Sequence, residues 1–296
     1  MNIFVRRLIA VAVLGAVLAG CGAGTDNTPR KSAAPASASP LPSAPVAPGP
    51  APSASREAGP KQSAPPMLAP GPGGLTPVFE RARNTMDKTV ALTFDADMTA
   101  DQGPRAAGGE RFDNPGLIAS LRRLKVPSTV FMTGRWAEEY PDQTRSIGRD
   151  PLFEIANHSY SHHAFKSPCY GLPTVGAEQM RTDVDRAFAA FRKAGARHIV
   201  PYFRFPGGCY DDRALRALAP AKVTAVQWDV VSGDAFASDG DAVAEQVLED
   251  VRPGSVVVMH CTRSAAPVTD RAIRRIVPEL RKRGYRFVKV SDLMKR

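Results

Sequence analysis

From about residue 88 onward, short apolar runs alternate with amphipathic stretches. Thr89-Val-Ala-Leu-Thr-Phe94 is an unbroken run of strand length, and Asp95 and Asp97 follow at its end. Asn114 and Pro115 then open a segment in which Leu117, Ile118, Leu121 and Leu124 recur at helical spacing. The same pattern predicts strands over 128–133, 153–156, 198–203, 222–228, 255–259 and 286–290. Between them it predicts helices from Gly134 toward Ile147, over 177–193, from Asp212, over 241–251 and over 270–283. Strands alternating with helices predict parallel βα units, an α/β fold. The stretch from about residue 75 to 296 is long enough for one substantial core.

The N-terminal part is of another kind. Arg6 and Arg7 precede an apolar run over 8–18 that is too short to span a bilayer comfortably. This is the layout of an export signal. It ends in Leu18-Ala19-Gly20-Cys21, which resembles the lipobox of bacterial lipoproteins. That resemblance implies cleavage before Cys21, lipidation there, and anchoring at the outer face of the cell membrane; an ordinary secretory signal is the alternative. From Gly22 to about Gly74 the chain is rich in Pro, Ala and Ser, with little to bury against the entropy of ordering. It is expected to be a disordered tether, with a mean span of about 40 Å for about fifty residues. The expected organisation is a signal peptide over 1–20, the tether over 21–75 and a folded domain over 76–296.

A net charge of +10 favours anionic surroundings. Nucleic acid is a poor candidate for an exported protein, whereas wall polymers or lipid headgroups fit. With Cys21 set aside, Cys169, Cys209 and Cys261 remain. Export permits one disulfide among them, and the pairing is open. The oligomeric state is not legible, and a monomer is the default.

The chemistry-bearing residues cluster just past predicted strands, the edge at which α/β folds carry their sites. His158-Ser-Tyr-Ser-His162 places two imidazoles four residues apart, a spacing that can grip one metal ion. Asp95 and Asp97 end the strand that begins at Thr89, and His260 ends another apolar run. Metal ligands with a base and an acid are nearly a full inventory for metal-assisted hydrolysis. His163 and His198 receive no role.

The order Thr93-Phe-Asp95, His158-Ser-Tyr-Ser-His162, Arg204-Phe-Pro206, Trp228 with Asp234, and Met259-His260 resembles the polysaccharide deacetylases of carbohydrate esterase family 4, the NodB homology domain. The likeness extends from about Lys88 to Val290. It implies a distorted (β/α) barrel and metal-dependent removal of acetyl groups from a glycan. The polymer is expected to be peptidoglycan, or a chitin-like chain. By the same resemblance Asp95 is the general base, held by Arg204, and His260 is the general acid, held by Asp234, with Asp229 ranked second as partner. Asp97, His158 and His162 are the metal ligands, for zinc first and for cobalt, manganese or nickel as alternatives. The backbone N–H of Gly207 is the oxyanion donor.

The chain departs from the family at three points. Ala96 separates aspartates that are commonly adjacent, which leaves a swap of their roles open. Gly207 stands where a tyrosine is usual, so the sugar subsite is expected to be more open or filled by Tyr210. Ala235-Phe236 stands where a tryptophan often follows the aspartate. Trp228 is expected to pack beneath the site. The competing readings are a catalytically impaired wall-binding lipoprotein, an O-acetyl esterase of the xylan type, and a metal amidase acting on non-sugar amides.

Overall fold

The computed structural model describes residues 64–83 and 85–295. The signal peptide, Cys21 and the tether up to residue 63 lie outside the described residues. No helix among the described residues is long and apolar enough to cross a membrane.

The elements in chain order are β1 (Val78–Phe79), β2 (Thr89–Ala96), α1 (Gly103–Ala107), α2 (Pro115–Arg123), β3 (Ser128–Met132), α3 (Gly134–Glu139) and α4 (Pro141–Arg149). They continue with β4 (Phe153–Asn157), α5 (Ala177–Lys193), β5 (Ile199–Phe203), α6 (Asp212–Leu218), β6 (Thr224–Val226), β7 (Val230–Val231), α7 (Gly240–Asp250), β8 (Ser255–His260), α8 (Thr269–Lys282), β9 (Arg286–Phe287) and α9 (Val290–Leu293). Within the sheet the order is β1-β6-β5-β4-β3-β2-β8-β7, with β9 also on β2, and every strand pair is parallel. Only Gln227 to Asp229 separate β6 from β7, although these strands sit toward opposite ends of that order. Four residue steps span at most about 14 Å, so the sheet must curl until its ends approach. A bridge between Arg81 and Ser255 and a bond from the Ala82 amide to the Gly254 carbonyl join the two sides. The result is the expected distorted (β/α) barrel.

Side-chain alternation along the strands sorts the core into layers. On β2, Val90, Leu92, Phe94 and Ala96 face the helices, in one cluster with Leu117, Leu121, Ile273 and Ile276. Ala91 faces the barrel interior with Phe131, Ala156, Val200, Tyr202, Val226 and Val256. Continuing that parity from Ala91 gives Thr93, Asp95 and Asp97. From Ala156 it gives His158, from Tyr202 it gives Arg204, and from Val256 it gives His260. One rule of spacing therefore delivers five functional candidates to one end of the barrel.

Three predicted elements differ. The single helix expected from Gly134 is two, because Pro141 excludes helical geometry at Tyr140, whose φ and ψ are −121° and 61°. The strand expected over 222–228 keeps only β6, since the chain then crosses to β8. The strand expected over 286–290 stops at Phe287, and Val290 begins α9. The first amides of α9 are satisfied by the Thr129 hydroxyl (3.0 Å, from Val290) and the Glu154 carboxylate (3.1 Å, from Ser291), while Val290 and Leu293 fill the barrel floor. Contacts with the barrel also begin before residue 76. The Tyr202 hydroxyl donates to the Pro66 carbonyl at 2.9 Å, and the Leu68 amide donates to the Thr224 hydroxyl at 3.3 Å.

Candidate active site

At the C-terminal ends of the strands, Asp97, His158 and His162 each present one ligand atom, all within 4.8 Å of one another. Nε2 of His158 is 3.4 Å from Asp97 Oδ1, and Nε2 of His162 is 3.7 Å from the same oxygen. That oxygen is buried and has no hydrogen-bond partner among the described residues. A buried carboxylate oxygen without a donor is costly. A divalent cation would satisfy it, and the donor set suits one. Nδ1 of His158 lies 2.9 Å from the Arg204 carbonyl. A carbonyl only accepts, so Nδ1 carries the proton and Nε2 keeps its lone pair toward Asp97. Burial lowers the pKa of His158 and takes that of His162 down to about 4, so both imidazoles are neutral, the ligating form. Burial, helped by the charges of Asp95 and Asp234, raises the pKa of Asp97 despite His158 and His260. A cation would reverse that direction.

The loop carrying the histidines is held by groups that motif reading did not single out. Ser159 and His162 have φ of 69° and 58°, left-handed values that non-glycine residues adopt rarely. The Asn157 side chain accepts from the Ser159 amide at 2.8 Å, and the Ser159 hydroxyl accepts from the His162 amide at 2.9 Å. The Asp183 carboxylate on α5 accepts from the amides of Tyr160 (2.8 Å) and Ser161 (3.3 Å). The first amides of α3, from Gly134 and Arg135, donate to the carbonyls of Ser159 and Tyr160. Gly134 permits that approach, because a Cβ there would lie 2.4 Å from the Tyr160 ring. Thr262 fixes the Asp97 backbone by accepting from its amide at 2.8 Å. Asp183 carried a signal in the sequence. It is a carboxylate on the apolar face of α5, beside Met180, Val184 and Ala187.

Arg204 is fully buried and donates from Nη1 to Asp95 Oδ1 at 2.7 Å. Its other nitrogens donate to the carbonyls of Val226 (3.1 Å) and Gln227 (3.3 Å). Its plane lies 3.9 Å over the Phe131 ring and 5.3 Å from that of Trp228. Trp228 thus packs beside the buried guanidinium, as expected. Burial pushes the Asp95 carboxyl up, but Arg204 and the charges of His158 and His260 outweigh it, and the net shift is downward.

Asp234 Oδ1 is 2.7 Å from His260 Nδ1, and its Oδ2 accepts from the His260 amide at 2.7 Å. Hydroxyls of Ser232 (2.9 Å) and Thr269 (2.7 Å) complete the carboxylate. Burial lowers the His260 pKa, yet the bond to Asp234 and the charges of Asp234, Asp97 and Asp95 outweigh it and hold it at about 10. Asp229 is not the partner. Its carboxylate accepts from the Val256 amide at 2.7 Å and the Ser255 hydroxyl at 2.9 Å, at the start of β8.

Gly207 follows the end of β5 with φ of 64°. The space a side chain would take is filled, since a Cβ there would lie 2.6 Å from Cys169 Sγ. Tyr210 does not fill it; its ring stacks on Phe205 at 4.9 Å. Cys169 is joined to Cys209 in a disulfide, and Cys261 is a buried free thiol. The bridge ties the loop that follows His162 to the loop that follows Arg204.

A family profile described as polysaccharide deacetylase matches residues 82–226. A chitooligosaccharide deacetylase of Sinorhizobium fredii is 29% identical over 198 residues, covering 64% of this chain and 86% of its own. A peptidoglycan-N-acetylglucosamine deacetylase of Bacillus cereus is 27% identical, covering 71% of this chain and 89% of its own. Among solved structures, a family 4 carbohydrate esterase from Streptomyces lividans in complex with acetate aligns with a TM-score of 0.55 at 27% identity, over 69% of this chain and 93% of that one. A carbohydrate esterase family 4 pseudoenzyme from Bacillus anthracis aligns with a TM-score of 0.59 at 23% identity, over 76% and 69%.

The orphaned Asp97 oxygen and the neutral imidazoles predict metal-linked stability. Zinc at about a hundred times its dissociation constant should add about 2.7 kcal/mol to the unfolding free energy. The gain should disappear in Asp97→Ala and His158→Ala. Equal gains in the variants, read by denaturant unfolding, would place the ion elsewhere.

Proposed function

We propose that this chain, a member of the polysaccharide deacetylase family, removes N-acetyl groups from an extracellular glycan, with peptidoglycan as the substrate. The observation that carries the reading is the convergence of Asp95 with Arg204 and of His260 with Asp234 on the mouth that holds the unpartnered Asp97 oxygen. A fold neighbour that is a pseudoenzyme makes the residues themselves decisive. In this chain the base, its arginine, the acid, its aspartate and three ligands are all present. The peptidoglycan and chitooligosaccharide relatives share the amide chemistry, and peptidoglycan is the polymer that an exported, tethered domain would meet.

Asp97, His158 and His162 would hold the cation, zinc by the chemistry of a His₂Asp donor set. When bound, it supplies Lewis-acid polarisation of the acetyl carbonyl and favours deprotonation of the attacking water. Asp95, kept ionised by Arg204, accepts the proton that the water gives up. Arg204 cannot drift as the charge on Asp95 changes, because two backbone carbonyls and the Phe131 face fix its plane. The Gly207 N–H is the proposed donor to the oxyanion, and a backbone donor does not depend on side-chain identity.

His260 uses Nδ1 to bind Asp234, which leaves Nε2–H as the proton to deliver. An amide needs its leaving nitrogen protonated before the C–N bond breaks, and an ester needs this less. An imidazole held protonated far above its ordinary range therefore favours an N-acetyl substrate over an O-acetyl one. The products are acetate and a free amine on the sugar.

For the compartment, we propose export and lipid anchoring through Cys21, on the strength of Leu18-Ala19-Gly20-Cys21. Cys21→Ala should move the protein from the membrane fraction to the soluble one, and unchanged partition would remove the anchor.

Acetate release from purified wall tests the activity. Asp95→Asn and His260→Ala should each lower the rate by about 10² to 10⁴, and rates equal to wild type would remove them from the mechanism. Because Asp234 holds His260 protonated well above the ordinary imidazole range, the alkaline fall in kcat/KM should lie well above pH 6.5. In Asp234→Asn it should move down toward about 6.5, the unperturbed histidine value. An alkaline limb that stays in place would mean that another group is the acid.

A further inference from the structure

Among the described residues two aromatic side chains stand largely in solvent, Tyr170 at 89% and Phe236 at 87% exposure. A single exposed apolar residue is ordinary. These two share two further properties.

The first is backbone conformation. Six non-glycine residues among those described have positive φ: Lys125, Ser159, His162, Tyr170, Lys222 and Phe236. Lys125 follows the end of α2, and Lys222 closes the short helical turn after α6. At helix ends a left-handed residue is routine. The other four lie in loops that carry or adjoin residues of the candidate site. Ser159 and His162 shape the ligand loop. Tyr170 and Phe236, with φ of 45° and 60°, hold bulky residues in a conformation that costs about 1–2 kcal/mol, yet neither ring gains burial by it.

The second is position. Tyr170 lies next to the disulfide half Cys169, and its ring is 3.3 Å from where a Gly207 Cβ would stand. The Leu172 amide closes this turn on the Cys169 carbonyl at 2.8 Å. Phe236 lies two residues past Asp234. Its amide donates to the Ala265 carbonyl at 2.6 Å, and the Ala237 amide donates to the Asp234 carbonyl at 3.2 Å. The Tyr170 ring therefore stands beside Gly207, the proposed oxyanion donor, and Phe236 stands on the loop that carries Asp234.

Resting on the deacetylase reading, we infer that Tyr170 and Phe236 are sugar platforms. Each stacks on the apolar C–H face of a pyranose flanking the acetylated residue, so that a glycan chain, rather than a lone sugar, lies across the mouth. Aromatic side chains provide wide contact at low entropic cost, having two rotatable bonds, and the fixed turns spare the ordering that binding otherwise costs.

The test uses the metal-loaded protein with a hexamer of β-1,4-linked N-acetylglucosamine and, separately, 4-methylumbelliferyl acetate, which has no sugar to stack. Tyr170→Ala and Phe236→Ala should each raise KM for the hexamer by about tenfold, with kcat within about twofold. Hydrolysis of the small ester should not change, and Tyr170→Phe and Phe236→Tyr should behave as wild type. An unchanged hexamer KM in both alanine variants, or an equal loss on the ester, would overturn the assignment. Should the wild type release no acetate from any glycan, the deacetylase reading fails on its own. Hexamer binding by calorimetry then judges the platforms, with about tenfold weaker binding in the alanine variants supporting them and equal binding refuting them.

Discussion

Arg204 fixes both Asp95, the proposed base, and His158, a proposed metal ligand. Its guanidinium, wholly buried, neutralises Asp95, and its carbonyl receives the His158 Nδ1 proton that sets that ring's tautomer. Its amide donates to the Asn157 carbonyl at 2.8 Å, tying β5 to the strand that delivers the histidine loop. A buried charge pair is not a net source of stability. Removing one partner costs about 3–5 kcal/mol, because the other is stranded. The barrel mouth is therefore built around a charge it could not hold unpaired. That explains why two carbonyls, an aromatic face and a carboxylate all converge on one side chain.

The same small volume keeps its groups in different protonation states. Asp95 is driven toward ionisation by Arg204, His260 toward protonation by Asp234, and the imidazoles of His158 and His162 toward neutrality by burial. Pairs of titratable groups pushed apart by their surroundings are how one site offers a base and an acid at one pH. Asp97 alone is left with an uncompensated carboxylate, and it is the group that a cation would complete.

Much of this was legible in the sequence because it depends on spacing. Apolar runs of strand length end in polar residues, and a period of two carries Asp95, Asp97, His158, Arg204 and His260 inward together. The ligand and acid–base assignments came from the resemblance and not from periodicity alone. The supporting shell was less legible. Asn157, Thr262 and Ser232 act through local bonds with no spacing signature, while Asp183 was visible only as a charge on an apolar helix face. The second strand-end aspartate near His260, Asp229, belongs to the start of β8, a distinction that depends on where the chain crosses between sheet edges. The surroundings of Gly207 depended on which cysteines pair, which composition does not settle.

Anomalous X-ray diffraction at the zinc edge, on crystals of the zinc-loaded protein, tests the central claim most directly. The account predicts one ion whose protein ligands are Asp97, His158 and His162, with metal–ligand distances of about 2.0–2.2 Å, and with Asp95 outside the coordination sphere and still on Arg204. An ion held by Asp95 in place of Asp97, or a mouth without zinc while the ion binds at another place on the chain, would contradict it.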